Sequence, residues 1–196
     1  MKNITDLRTT LDWTHHSLYF LRKHFLVILT LGLIAGLGRA AQLKAFGEIS
    51  STLHFVLEMI IQSARMLIFL FALGVTNIRS GIKRTVAIFS VKKDSSQKRK
   101  LALEKFKLHW KRMLWNLGAF LIISFLINLF IDHIAYETCM YISLRERGLL
   151  HANASEWTII LLLKNLSVIP LTLVFNAMCL LWFINRLPEK SAGKTV

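Results

Sequence analysis

Hydrophobic and polar positions in this chain fall into long blocks, and four of the blocks are apolar over about the 20 residues that a helix needs to cross a bilayer. The first runs from His24 to Leu43, with an uncharged core of 14 residues, Phe25 to Gly38. Arg39 closes that core and is expected to snorkel to the outer headgroups. The second spans Thr52 to Thr76. The third, Met113 to Ile131, holds 19 residues without a charge. The fourth extends from Trp157 to Asn185 and is interrupted by Lys164 and Pro170. Proline removes the helix hydrogen bond to Leu166, which predicts a kink there. Trp110, Trp115, Trp157 and Trp182 stand near span ends, as an aromatic belt does. The pattern predicts an all-α fold, a polytopic membrane protein of four transmembrane helices with amphipathic cytoplasmic helices.

The segments between the blocks differ in charge, and that difference predicts orientation. Twelve Lys and Arg residues lie between Arg79 and Arg112, four before the first span and three after the last. The two remaining loops hold two each, Arg39 with Lys44 and Arg145 with Arg147. Nineteen against four places both termini and the central loop 79–112 in the cytoplasm. The domain reading is an interfacial cytoplasmic helix over 1–23, a four-span membrane domain over 24–185 and a cytoplasmic tail over 186–196. Ile4, Leu7, Leu11 and Leu18 recur at helical spacing with Trp13 nearby, which predicts a short helix in the inner interface. The run from Gln97 to Trp115 is expected to continue into the third span as one helix, after a turn at 91–97. Its basic residues suit anionic headgroups. The N-terminus has acidic residues and no early apolar run, so it is not read as a cleavable signal. The expected location is a bacterial inner (plasma) membrane.

Composition agrees with this reading: 54% of the 196 residues are hydrophobic, while the formal charge is +14. Nucleic-acid binding would need a folded basic domain, and no segment outside the spans is large enough to be one. Cys139 and Cys179 are the two cysteines, and neither has a metal-ligand neighbour at CxxC spacing. No P-loop, HExxH, GxSxG or dinucleotide fingerprint is present, so neither an enzyme nor a cofactor is expected.

Candidate chemistry concentrates in the second span. His54, Glu58, Gln62 and Arg65 recur at steps of four, four and three and stay within about 80° of one helical face. Arg65 lies near the middle of the span, where a charge costs on the order of 2.5 kcal/mol or more to insert, so it should face protein or water. Asn128 and Asp132 line the third span with Ser124, and Lys164 and Asn165 sit in the fourth. By topology Glu58 and Lys164 lie at matching depth and are expected to pair, with Arg39 and Asp132 as the alternative partners. Gln62 is expected to bridge Glu58 and Arg65, which are seven residues apart. His54 with Glu58, and His133 with Glu137, form two His-x-x-x-Glu pairs that could converge on a metal. Gly32 and Gly36 make a small-xxx-small face for close helix approach, within the fold or between subunits.

The polar residues have three readings. They pack helices together, they line a hydrated pore, or they carry an ion or a metal in a compact transporter. A four-span chain this small encloses no wide pore alone, so a channel requires a homo-oligomer or a membrane partner. The function expected is a non-enzymatic, oligomeric membrane protein that alters permeability or acts on a partner in the bilayer. A regulatory, immunity-type or defence-associated membrane protein is the further alternative. The topology is tested by reporter fusions: one after Ser90 should report cytoplasm and one after Leu149 the exterior, and the reverse pattern rejects it.

Overall fold

A computed structural model describes residues 11–89 and 95–184, and among these the chain is all-helical. In order the helices are α1 (Asp12–Lys23), α2 (Phe25–Gln42), α3 (Ser51–Gly74), α4 (Ile78–Phe89), α5 (Ser95–Tyr136), α6 (Met140–Glu146), α7 (Trp157–Leu166) and α8 (Val168–Phe183). Four stretches are long and apolar enough to cross a membrane: Phe25–Gln42, Ser51–Gly74, Phe106–Tyr136 and Trp157–Phe183. Ile4 and Leu7 of the expected interfacial helix, and the tail 186–196, lie outside the described residues.

The last of these stretches is two helices. Ser167 leaves helical geometry with φ −127° and ψ −78°, dividing α7 from α8. Pro170 is then the third residue of α8, a position whose N–H would have no intrahelical partner in any case. The Ser167 hydroxyl donates to the Leu163 carbonyl at 2.7 Å, satisfying one acceptor that the break exposes. The third stretch is the upper part of a helix that begins at Ser95 and bends at His109, where φ is −118°.

Loop contacts establish that the helices run up and down. The backbone N–H of His151 donates to the Ala45 carbonyl at 2.8 Å, joining the α2–α3 and α6–α7 connections at one end of the bundle. At the other end the His109 ring lies 5.7 Å from the Trp182 ring. Helices α2, α3 and α7–α8 form the packed centre, while α5 lies along α7–α8 with little of its span covered. Gly32 and Gly36 serve this centre. A Cβ at Gly32 would come within 2.8 Å of the Asn165 carbonyl, and one at Gly36 within 2.9 Å of Leu162. The small-xxx-small face is therefore consumed within the chain, holding α2 against α7. Exposed apolar side chains such as Leu121, Ile122, Phe125 and Phe130 cover the free side of α5.

Helix α1 is tied into the bundle. Trp13 and Phe20 are buried, with the Trp13 ring 4.9 Å from Trp182 and 6.4 Å from Phe175 of α8. The helix has no capping side chain of its own. Asn116 of α5, fully buried, supplies one from 102 residues away: its Oδ1 accepts from the Trp13 and Thr14 backbone N–H groups at 3.1 and 3.2 Å. Beside it, Arg112 forms an ion pair with Asp12. The Asn116 bonds satisfy two of the donors that every helix N-terminus leaves open.

The α3–α4 turn is set by two close approaches. Val75 and Thr76 take left-handed conformations, with φ of 48° and 80°. Gly81 then passes so near α3 that a Cβ there would meet the Leu70 carbonyl at 2.1 Å. The Arg84 guanidinium donates to the Leu73 carbonyl at 2.6 Å, closing the end of α3.

Replacing Asn116 by Ala removes the acceptor for both N–H groups of α1. The expected loss is about 1–3 kcal/mol, the penalty for leaving a buried polar group unpaired. Thermal unfolding of the purified protein in detergent measures it, and an unchanged midpoint would reject the capping role.

Candidate functional site: a polar ladder on α3

The site is built on α3, where one turn after another presents a polar side chain. Arg39, in the last turn of α2, donates through Nη1 to Glu58 Oε2 at 3.0 Å. Gln42, one turn further along α2, donates to the same oxygen at 3.2 Å, and to the His54 carbonyl at 3.0 Å. Arg39 also donates to Gln42 Oε1 at 2.8 Å, which closes the group. Gln62 donates to the other oxygen, Glu58 Oε1, at 2.7 Å. Both carboxylate oxygens are thus engaged by donors from two helices.

Below this step, Arg65 turns to α7. Its Nε and Nη2 both donate to Asn165 Oδ1, at 3.2 and 2.9 Å. Asn165 is 1% exposed, and its own amide donates to the Leu161 carbonyl at 2.7 Å, which fixes the direction of the oxygen. The geometry holds because Gly32 and Gly36 let α7 approach α2 closely. From His54 to Arg65 the ladder climbs 11 residues of α3, about 16 Å at the rise of an α-helix.

Several expectations change on this geometry. Glu58 pairs with Arg39, not Lys164; Lys164 has no ion pair within 4.0 Å among the described residues. Arg39 does not snorkel outward but turns to the carboxylate. Gln62 binds Glu58 alone, and Asn165 takes Arg65 instead of a bridge through Gln62. Asp132 and Asn128 are on α5, which packs on α7 and α8 and not on α3, so they do not join the ladder. Asn128 donates to the Ser124 carbonyl of its own helix at 2.8 Å. His133, near the end of α5, and Glu137, just beyond it, are both exposed. Among the described residues no three His, Cys, Asp or Glu side chains come together, so His54, Glu58, His133 and Glu137 do not form a metal site.

Gln42 is the member that sequence reasoning missed. It sits at the end of an apolar block, where a glutamine looks like a boundary residue. Its signal is the three-residue spacing from Arg39, which puts both on one helical face.

The ladder is not sealed inside the chain. His54 and Gln62 are exposed, while Glu58 and Arg65 are half-buried. Beside it, the other side of α3 forms an apolar groove of about 390 Å³ with α2, lined by residues such as Leu31, Phe55, Met59 and Leu67. A single helix therefore presents one polar edge and one apolar edge outward.

A double-mutant cycle of Arg39→Gln and Glu58→Gln on unfolding stability should give a coupling of about 0.5–3 kcal/mol, the range for residues in direct contact. The cycle of Glu58→Gln with Lys164→Met should be additive, and a large coupling there would overturn the pairing described. No protein-family model, characterised protein or solved structure matches this chain, so its geometry alone carries the functional reading.

Proposed function

We propose that this chain is a non-enzymatic membrane protein that assembles with further copies and opens a polar path along the α3 ladder. The observation that carries the reading is the open edge of that ladder. In a bilayer, Glu58, Gln62 and Arg65 cannot face lipid tails without a large penalty, because hydrocarbon offers no hydrogen-bond partner. Another copy of the chain, with water held between the two edges, supplies partners for them. The basic loop and both termini then lie in the cytoplasm, and the ladder opens toward the exterior from the end that carries His54.

The chemistry fits permeation better than catalysis. No nucleophile and base are brought together at the ladder, and its one carboxylate is fully occupied by amide and guanidinium donors. Rings of such side chains set ion preference in pores. The competing reading seats a different membrane protein on the same edge, as a regulatory or immunity-type partner would be.

Cysteine scanning separates these. With Cys139 and Cys179 replaced by Ser, Gln62→Cys should react with a charged, membrane-impermeant thiol reagent, and the reaction should block ion flux in vesicles. Met59→Cys, which faces the apolar groove, should stay unreactive. Gln62→Cys cross-linking only to a different protein, without flux, would favour the partner reading; an inert Gln62→Cys would reject the path.

A further inference from the structure

We infer that the Arg65–Asn165 step of the ladder binds a small monovalent anion and makes the path prefer anions to cations, an inference that rests on the proposed permeability. The ladder carries two guanidinium groups, Arg39 and Arg65, against one carboxylate, Glu58. That carboxylate is engaged by Arg39, Gln42 and Gln62. Arg65 is left with a neutral partner. Two of its nitrogens share the Asn165 oxygen, and Nη1 has no hydrogen-bond partner among the described residues. No carboxylate of a described residue lies within 4.0 Å of its guanidinium.

The arrangement leaves a full positive charge and one donor edge open, deep in a span. Asn165 cannot reorient to close that edge, since its amide is held on the Leu161 carbonyl and the residue is buried. An amide oxygen steadies a guanidinium but does not neutralise it, so the charge calls for a mobile counter-ion. Arg65 stands 14 residues from Ser51 and nine from Gly74, about 21 and 14 Å from the two ends of α3 by helical rise. A phosphate headgroup stays at the interface, whereas an ion the size of chloride is small enough to follow the proposed path past the exposed Gln62 toward Arg65. Cations meet the ladder's net positive charge, two guanidinium groups against one carboxylate, and are held back.

The test uses the full chain in neutral phosphatidylcholine vesicles under a potassium chloride gradient. Reversal potentials should show chloride more permeant than potassium. Arg65→Lys should keep that preference, and Arg65→Gln should shift the permeability ratio toward potassium by about fivefold or more, the Boltzmann factor for a unit charge at 4 Å in water. A second measurement needs no conduction: thermal unfolding in detergent should be shifted upward by chloride relative to gluconate, and Arg65→Gln should abolish the shift. Conductance that prefers potassium, or a ratio unchanged in Arg65→Gln, overturns the anion assignment and leaves the path standing. Chloride-dependent stability without conductance keeps the anion site and removes the path; neither effect removes both.

Discussion

A guanidinium in the middle of an apolar helix is the constraint around which the rest of this molecule is arranged. A buried guanidinium needs partners, and on its own helix the one amide, Gln62, is engaged with Glu58, the carboxylate seven residues away. The chain answers by bringing α7 in from the other side, and that approach has structural consequences. Asn165 must be rigid, so it is buried and bonded to Leu161. Helix α2 must then come close to α7, and only glycine at 32 and 36 leaves room for it. The break at Ser167, just beyond Asn165, lets the remainder of the stretch take its own direction as α8 against α3 and α1.

The sequence reveals most of the fold because four long apolar blocks impose it. Long uncharged blocks have one common solution, a helix with every backbone group satisfied internally. The stripe of His54, Glu58, Gln62 and Arg65 is legible for the same reason, since helical periodicity fixes which side chains share a face. Pairing across helices is a different matter. Glu58 and Lys164 lie at similar depth, but depth says nothing of which helices are neighbours or of the direction a side chain takes. Lys164 and Asn165 are adjacent in sequence and about 100° apart around α7, so only one of them can face α3. Asp132 is misleading in the same way: its depth suits the ladder, but α5 packs elsewhere.

The tie between α1 and α5 illustrates a second limit. Asn116 sits in the most apolar block and reads as an isolated polar residue, while α1 begins without any capping side chain of its own. Each half is visible in the sequence as a small irregularity. That one explains the other depends on a contact across 102 residues, which no local pattern encodes. Trp13 is similar: it reads as an interfacial aromatic, and it is in fact enclosed between Trp182 and Phe175.

Three asparagines share one design that links these observations. Asn116, Asn128 and Asn165 each donate their side-chain amide to the carbonyl one turn earlier in the helix, at 2.9, 2.8 and 2.7 Å. The bond satisfies the donor within an apolar helix and leaves the oxygen fixed and pointing away, as an acceptor that needs no water. At Asn116 the oxygen receives the N-terminus of α1, and at Asn165 it receives Arg65. In both places it meets positive charge, partial in the first case and full in the second. A carboxylate in the same position would neutralise Arg65 and close the electrostatic opening at the ladder. The amide holds the guanidinium in place and leaves its charge available, so in the anion-binding reading proposed above the choice of asparagine over aspartate at residue 165 is what distinguishes a site from a closed ion pair.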